Sequence, residues 1–343
     1  MNYHLFHLSH TDLDGYGCQM VTQHYFDNAN FYNSNYGKEI DERFHQILLD
    51  METIGAKKNI ILITDLNLTV EQCHYFEKEL QNASQEAKLL LLDHHKSGQD
   101  CFEEYPWYYL DTERCATKIT YDFFASIYGA DTEMATLVNV INAVDIWLSD
   151  DPYFELGKVC LGLVANAKEI NRIMFEKANN DYIFNLLKQV QPYLDQENPH
   201  IVLDEAIHGL KKNYFRGDKA DDTLSNLISA KMVELLGRYK NKMSIEYQGY
   251  KGIVSFNIGN VSVIGNDFLV ANPNYDFFMD VTSRKTVSFR SNGKVDVSKI
   301  AKKLAGGGGH PNASGGVLNN FKDSFLYDKI IAQVKHLIKQ NEE

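Results

Sequence analysis

The residues of this chain that could do chemistry lie in short segments of its first half that combine carboxylate and imidazole side chains. The first such segment is SHTDLDG, which carries His10, Asp12 and Asp14. We expect this segment to be extended, and residues at i, i+2 and i+4 of an extended segment project to one side. Two carboxylates and one imidazole would then converge and could bind a metal ion.

Three further segments place similar side chains next to apolar runs. Asp65 follows the run IILIT, and Asp145 lies near the end of a predicted helix. The run LLLL is followed by Asp93, His94 and His95. In parallel α/β sheets, functional groups gather at the carboxyl ends of the strands. Aspartate and histidine together suit Mn²⁺ or a similar borderline ion better than Ca²⁺.

A glycine-rich segment, AGGGGHPNASGG at residues 305–316, is the second strong pattern. Four consecutive glycines, among them Gly307, Gly308 and Gly309, are too flexible for the interior of a helix or strand. We expect a loop whose backbone N–H groups form a concave anion site, with His310 adding a charge-assisted hydrogen bond to phosphate. A flexible turn between a helix and a strand is the alternative interpretation.

The elements that must position these residues follow different patterns in the two halves of the chain. In the first half, strands are predicted at residues 3–9, 60–64, 89–92 and 107–110. They alternate with amphipathic helices predicted at residues 15–26, 70–80, 117–128 and 132–147. This alternation indicates βαβ units and a parallel sheet, and near-continuous apolar runs are typical of strands buried on both faces.

The second half changes character after a helical region at residues 154–210 and a polar stretch at residues 215–222. Strands are predicted there at residues 253–256, 277–282, 286–290 and 316–318, and helices at residues 224–239, 297–304 and 324–339. We therefore predict two domains, at residues 1–215 and 216–343.

Composition limits the classes of partner and location. The net charge of −12 over 343 residues repels polyanions, so a long nucleic-acid duplex is not an expected partner. The five cysteines are scattered without a CxxC pair, which is typical of reduced thiols in a cytosolic protein. With neither a signal peptide nor a long apolar stretch in the sequence, we expect a cytoplasmic protein without a membrane partner. A homo-oligomer is compatible with these features.

The order of these motifs resembles that of the DHH phosphoesterase superfamily: HxDxDG, an Asp after a strand, DHH, and a later Asp. The short form HTDLDG is similar to the RecJ and nano-RNase type B branches, and GGGGH resembles the GGGH motif of the partner domain, DHHA1. The resemblance covers residues 5–147 and 287–316. It implies an α/β fold with an N-terminal parallel-sheet DHH domain with flanking helices and a smaller C-terminal α/β DHHA1 domain. It also implies an active site in the cleft between them.

The resemblance further implies two divalent metal ions, usually Mn²⁺. It assigns the first ion to His10, Asp12 and Asp65. It assigns the second ion to Asp14, Asp65, His94 and Asp145. Asp65 would therefore bridge the two ions, which is why we also count it as catalytic. Two ions about 3.5–4 Å apart can activate a water and stabilise charge on a phosphoryl group.

Further residues are assigned to the substrate and to a supporting role. Asp93 would orient a metal ligand, and His95 would face the scissile phosphate as a catalytic residue. Arg290 in TVSFRS matches a substrate-phosphate arginine of the DHHA1 domain, and Arg284 in TSRK is a weaker candidate. An arginine suits this role because its guanidinium binds phosphate bidentately.

The leading functional hypothesis is a Mn²⁺-dependent phosphodiesterase that degrades short single-stranded RNA, or nano-RNA, to nucleoside monophosphates. A pAp phosphatase or a hydrolase of linear dinucleotides derived from cyclic dinucleotide signals is the first alternative, because both use the same site. A catalytically inactive nucleotide-binding regulator is the second alternative, and it predicts the loss of at least one metal ligand.

Overall fold

The computed structural model describes residues 3–342, which form two compact units. The first unit comprises the chain up to Ala167 together with Ile183–Leu210. The second comprises Lys168–Tyr182 together with the chain from Lys211 onward. The predicted division after residue 215 stays a prediction. Each unit has a sheet of its own.

A parallel sheet of five strands forms the centre of the first unit, in the order β2-β1-β3-β4-β5. Its strands are β1 (His4–Ser9), β2 (Ala29–Asn33), β3 (Asn59–Thr64), β4 (Ala87–Asp93) and β5 (Tyr108–Leu110). The predicted parallel sheet is thus confirmed. The strand β2 was not predicted, because its sequence ANFYN has no apolar run.

Helices cover both faces of this sheet. They are α1 (Leu13–Tyr25), α2 (Lys38–Ile54), α3 (Val70–Asn82), α4 (Gln99–Glu104), α5 (Ala116–Tyr128), α6 (Thr132–Asp145) and α7 (Phe154–Ala165). Two further helices, α8 (Glu176–Lys188) and α9 (Pro199–Arg216), complete the predicted helical region. Phe6 packs in one buried cluster with Phe44 and Phe76, whereas its neighbour Leu5 packs in another with Phe124. Successive strand residues face opposite sides, so β1 is buried on both faces.

The second unit contains a mixed six-stranded sheet in the order β10-β11-β9-β8-β7-β6. Its strands are β6 (Ser244–Tyr247), β7 (Tyr250–Phe256), β8 (Phe277–Val281), β9 (Thr286–Ser291), β10 (Gly308–His310) and β11 (Ala313–Val317). Only the β7–β8 pair is parallel among the described strand pairs of this sheet. Its helices are α10 (Leu224–Met243), α11 (Val261–Ala271), α12 (Val297–Ala305) and α13 (Tyr327–Glu342). The predicted α/β character of the C-terminal half is confirmed.

The glycine-rich segment differs from the predicted loop. Gly308 and Gly309 belong to β10, which forms an antiparallel hairpin with β11. A Cβ atom on Gly307 would collide with the carbonyl oxygen of Gly315, and Gly309 has a φ of 143°. Close backbone approach therefore requires glycine at position 307, and a positive φ favours glycine at position 309 of this short edge strand. The expectation that four glycines exclude a strand was wrong.

None of the helices within residues 3–342 is both long and apolar enough to cross a membrane.

Asp280, the fourth residue of β8, gives a pH dependence that can be measured. Its carboxylate is buried and accepts hydrogen bonds from the Ser255 hydroxyl at 2.7 Å and from the Ile258 amide at 3.1 Å. Burial raises the pKa of Asp280 from 3.8 to about 7, although both hydrogen bonds oppose this rise. Between these values the folded state holds a proton that the unfolded state has lost, so stability falls as the pH rises from about 4 to about 7.

We expect Asp280→Asn to remove this part of the pH dependence. The free energy of unfolding of the wild type should fall by up to about 1.4 kcal/mol per pH unit in that range, relative to the variant. Urea unfolding at pH 5 and pH 8 should be followed by circular dichroism rather than by tryptophan fluorescence. Asp280 lies in the second unit, whereas Trp107 and Trp147 both lie in the first unit. Equal pH dependence in both proteins would show that another group is responsible.

Candidate functional site

The first acidic segment is not extended throughout, so the predicted conformation was wrong, although His10, Asp12 and Asp14 do face one cluster. The strand β1 ends at Ser9 and α1 begins at Leu13. Asp12 is the N-cap of α1 and accepts a hydrogen bond from the amide of Gly15 at 3.0 Å. Aspartate is a favoured N-cap residue, because its carboxylate satisfies an amide that the helix leaves unpaired. Asp14 consequently lies in the first turn of α1.

Asp14 is oriented by a helix that is distant in the sequence. Its two carboxylate oxygens each accept a hydrogen bond at 2.8 Å, from the amides of Ala116 and Thr117. The Thr117 hydroxyl donates to the backbone carbonyl of Asp14 at 2.7 Å. These groups form the N-terminus of α5, where unpaired amides and the helix dipole stabilise a carboxylate. A buried Asp14 is therefore held rigidly.

Asp65 lies at the centre of the cluster, directly after β3. It is buried and adopts a left-handed backbone conformation with a φ of 55°, which is uncommon for a residue other than glycine. Its Oδ2 atom lies 3.7 Å from His10 Nδ1, and its Oδ1 atom lies 3.4 Å from His94 Nε2. Among the described residues, Oδ2 has no hydrogen-bond partner although it is buried. A buried acceptor of this kind needs a partner, and a cation between His10 and Asp65 would supply one.

His94 joins the remaining acidic residues to Asp65. Its Nε2 atom lies 3.7 Å from Asp14 Oδ2 and 3.6 Å from Asp145 Oδ2. His10 Nδ1, in contrast, contacts Asp12 Oδ2 at 2.8 Å. The structure therefore brings the other five predicted ligands together around Asp65. One carboxylate oxygen of Asp65 faces His10, and the other faces His94. The ligand assignment itself stays a prediction.

The electrostatics of the cluster fit divalent cations. Burial and the nearby charge of Asp14 raise the pKa of Asp65 well above its usual range. Burial, together with Asp14 and Asp65, raises the pKa of Asp145 to about 8. Burial lowers the pKa of His10, but the hydrogen bond to Asp12 and the neighbouring Asp65 outweigh this and raise it to about 10. Apart from burial, these shifts share one cause, which is carboxylate charge crowded without enough positive charge, and metal ions would relieve this crowding.

Asp93 and His95 form a hydrogen-bonded chain that adjoins the cluster, since His95 Nδ1 lies 4.0 Å from Asp65 Oδ1. Asp93 Oδ1 contacts His95 Nδ1 at 2.7 Å, and Asp93 Oδ2 accepts from the Tyr108 hydroxyl at 2.9 Å. On the other side of the ring, His95 Nε2 contacts the Tyr36 hydroxyl at 3.1 Å. Asp93 thus orients His95, whereas the sequence predicted only an orienting role for Asp93 towards a metal ligand.

Two residues of this site were missed by the sequence analysis. Tyr36 lies three residues beyond β2, so its position at the same sheet edge could not be foreseen without that strand. Cys115 is the N-cap of α5, and its Sγ atom lies within 4.8 Å of a carboxylate oxygen of Asp14 and of Asp145. Burial, with Asp14 and Asp145 nearby, raises the pKa of the Cys115 thiol. Nothing in the local sequence around Cys115 indicated this proximity.

The predicted phosphate-binding residues separate into two places within the second unit. Arg290 on β9 is paired in register with Ala313 on β11, and Ala313 is paired with His310 on β10. Directly opposite residues share a face of the sheet, so Arg290 and His310 lie on the same face. The Arg290 guanidinium donates to Ser262 Oγ at 2.8 Å. The exposed Arg284 lies in the turn before β9 and is therefore distant from Arg290. Thr286, the first residue of β9, is already about 13 Å from Arg290 along an extended strand.

The chain resembles known proteins over nearly its whole length. Residues 275–340 match the family model described as the DHHA1 domain. A 3′,5′-cyclic-nucleotide phosphodiesterase from Helicobacter pylori (strain ATCC 700392 / 26695) is 39% identical over 341 residues, which cover 97% of this chain and 98% of that protein. The oligoribonuclease NrnB from Bacillus subtilis (strain 168) is 25% identical, covering 91% of this chain and 72% of that protein.

A solved structure agrees with this likeness. An uncharacterized protein from Helicobacter pylori G27 has a TM-score of 0.93 and 39% identity, covering 98% of this chain and 99% of that one. The two-unit fold, the cluster of aspartates and histidines, and full-length identity at this level have one explanation. The chain belongs to the DHH/DHHA1 phosphoesterase superfamily and is a metal-dependent phosphoesterase.

Proposed function

We propose that this protein is a two-metal phosphodiesterase that hydrolyses 3′,5′-cyclic nucleotides with Mn²⁺ as its preferred ion. The observation that carries the proposal is the position of Asp65, whose buried carboxylate presents one oxygen to His10 and the other to His94. A carboxylate with this geometry can bridge two ions. A bound pair of ions would supply charge stabilisation and a nucleophile for attack at a phosphodiester.

The choice of substrate is supported by the relative that is 39% identical over almost the entire length of both proteins and is named for cyclic nucleotides. This substrate class was not among the hypotheses drawn from the sequence. In the reaction, water adds across one P–O bond of the cyclic diester, the ribose oxygen takes a proton, and a nucleoside monophosphate results. A small substrate also suits a protein whose net charge is −12.

The residues of the chain have distinct tasks in this proposal. His10 and Asp12 would hold the first ion, whereas Asp14, His94 and Asp145 would hold the second. His95 would donate a hydrogen bond to the phosphate or the leaving oxygen. Asp93 would keep its ring in place through the contact with Nδ1 at 2.7 Å, and Nε2 would exchange its contact with the Tyr36 hydroxyl at 3.1 Å for the substrate oxygen. A hydrogen-bond donor that is held in position before the reaction requires little free energy of reorganisation in the transition state.

Short RNA with a 5′-phosphate is the second candidate substrate, and a specific observation favours it. Arg290 and His310 share one face of their sheet, which suits binding of a phosphate group. A 3′,5′-cyclic mononucleotide carries one phosphate, whereas a 5′-phosphorylated diribonucleotide carries two. The 25% identity to an oligoribonuclease supports this candidate to a lesser degree.

The test compares hydrolysis of 3′,5′-cyclic AMP, 2′,3′-cyclic AMP, a 5′-phosphorylated diribonucleotide, a longer RNA oligomer and pAp. Each substrate is assayed with Mn²⁺ and with EDTA, and products are separated by chromatography. We expect Mn²⁺-dependent conversion of 3′,5′-cyclic AMP to AMP, with the largest kcat/KM of the set. Fastest release of mononucleotides from the diribonucleotide would establish the second candidate instead. Hydrolysis of pAp alone would overturn both phosphodiesterase proposals.

We expect His310→Ala to weaken binding of the 5′-phosphorylated diribonucleotide more than its turnover. A hydrogen bond to a charged phosphate contributes about 1.5–3 kcal/mol, which corresponds to an increase in KM of about 10- to 150-fold. His336→Ala is the matched control, because His336 is an exposed histidine on α13 of the same unit. Steady-state kinetics of both variants provide the measurement. Unchanged KM and kcat in His310→Ala would remove the glycine hairpin from the site.

A further inference from the structure

A thiol lies beside the predicted second metal position, and the predicted ligand set does not use it. Cys115 Sγ and carboxylate oxygens of Asp14 and Asp145 all lie within 4.8 Å of one another. Ligand atoms bound about 2.0–2.3 Å from one ion are at most about 4.6 Å apart, so a small rearrangement of these side chains suffices. His94 Nε2 reaches the same two aspartates at 3.7 and 3.6 Å.

Helix capping alone does not account for sulfur at this position. Cys115 is the N-cap of α5, where serine, threonine, aspartate and asparagine are preferred. Its Sγ atom accepts from the amide of Lys118 at 3.4 Å, which a hydroxyl oxygen would do at least as well. The two preceding amides of the helix bind Asp14. One helix N-terminus therefore holds two donor groups of the cluster, the Asp14 carboxylate and the Cys115 thiol.

A second observation points to a cation in this cluster, on the side of Asp65 that faces His10. Asp65 Oδ2 is buried without a hydrogen-bond partner among residues 3–342. The other oxygen of Asp65 faces His94, which in turn lies between Asp14 and Asp145. The thiol of Cys115 is itself completely buried. The donors on the His94 side of Asp65 are thus two carboxylates, one imidazole and one sulfur.

We propose that Cys115 is a ligand for thiophilic divalent ions at the second metal position, beside Asp14, His94 and Asp145. Oxygen and imidazole donors suit Mn²⁺, whereas a soft thiolate favours Zn²⁺ and its thiophilic analogues. The second metal position therefore binds Mn²⁺ without the Cys115 sulfur as a ligand, whereas it binds Zn²⁺, Co²⁺ or Cd²⁺ with the sulfur as a ligand. When one of these three ions binds, the thiol proton of Cys115 passes to solvent. This inference rests on the metal site of the proposed function and does not depend on the substrate.

The test uses Co²⁺ alone as a spectroscopic probe of sulfur ligation. Wild-type protein, Cys115→Ser and Cys160→Ser are loaded with Co²⁺, and the near-ultraviolet band for sulfur-to-metal charge transfer is recorded. Serine at position 115 keeps an N-cap oxygen. Cys160 is the matched control, because it is a fully buried cysteine of α7 in the same unit. We expect the band in the wild type and in Cys160→Ser, and its loss in Cys115→Ser.

Calorimetric titration with Cd²⁺ and Mn²⁺ gives a second, independent result. Cys115→Ser should lower the affinity for Cd²⁺ by about tenfold or more while leaving the affinity for Mn²⁺ unchanged. Equal loss of affinity for both ions would overturn the proposal, because it would indicate a general disturbance of the site.

Other outcomes are also decisive. Co²⁺ bound to the wild type without the band, a band that persists in Cys115→Ser, or failure of the wild type to bind Co²⁺ would each overturn the proposal. Absence of the band from the wild type overturns the proposal even if Cys115→Ser does not fold. Failure of the proposed function is distinguishable, because it is measured as hydrolysis with Mn²⁺, whereas the band reports ligation with Co²⁺.

Discussion

Replacement of Asp65 by asparagine is expected to reduce metal-dependent hydrolysis by at least about 10³-fold. Asp65 is the predicted ligand of both metal ions, so this one change alters both metal positions. Several kcal/mol of charge stabilisation would be lost with it. Asparagine is chosen because it has nearly the shape of aspartate and tolerates the left-handed conformation at a φ of 55°. The measurement is the initial rate at saturating Mn²⁺.

A second readout separates loss of metal from loss of fold. Mn²⁺ at 100 times its dissociation constant should stabilise the wild type by about 2.7 kcal/mol, whereas Asp65→Asn should gain much less. Without metal, the variant should be no less stable than the wild type, because a buried charge beside Asp14 has been removed. Thermal unfolding with and without Mn²⁺ measures both effects.

Asp100→Asn is the matched control, since Asp100 is an exposed aspartate on α4 of the same unit. Its rate and its stabilisation by Mn²⁺ should equal those of the wild type. Near-wild-type turnover in Asp65→Asn would refute the assignment of two metals around Asp65.

The second large effect is expected at two adjacent histidines whose replacements should differ in kind. His95→Ala should lower kcat by about 10²–10⁴-fold, because a positioned proton or hydrogen-bond donor is lost. It should leave Mn²⁺ binding in place, since the hydrogen-bond contacts of the His95 ring are to Asp93 and Tyr36, which are not predicted metal ligands. His94→Ala should instead lower the affinity for Mn²⁺, because Nε2 of His94 reaches Asp14, Asp65 and Asp145.

The experiment measures the Mn²⁺ dissociation constant and kcat at saturating Mn²⁺ for both variants. His74→Ala, an exposed histidine of α3, serves as the control for the removal of an imidazole. Equal loss of metal affinity in His94→Ala and His95→Ala would show that the two histidines do not have separate roles. Full activity of His95→Ala at saturating metal would exclude His95 from the reaction.

The central part of the first unit could be predicted because its strands are buried on both faces. The runs IILIT and LLLL are continuous apolar segments, and polar residues directly after such runs are conspicuous. Parallel strands end at one edge of a sheet, so the proximity of Asp65 to His94 follows from this simple rule. The resemblance to the DHH superfamily depends on the same residues, and it was confirmed for the same reason.

Other parts of the site depended on contacts between distant residues. Asp14 is oriented by amides of Ala116 and Thr117, which are 102 and 103 residues away. Tyr36 reaches His95 only because an unpredicted strand, β2, pairs with β1. No local pattern predicts such contacts, because they are created when separate elements pack against each other.

The sequence by itself determined the family and the α/β class and predicted the donor residues of the candidate metal site, because these depend on residue types and their spacing along the chain. Only the tertiary structure decided that Cys115 lies beside Asp14 and Asp145 and that the glycine segment is a hairpin. Glycines lack side chains, so their conformation is set by the strand they pair with. Similarly, the neighbours of a buried thiol are set by helix packing rather than by the residues next to it in sequence.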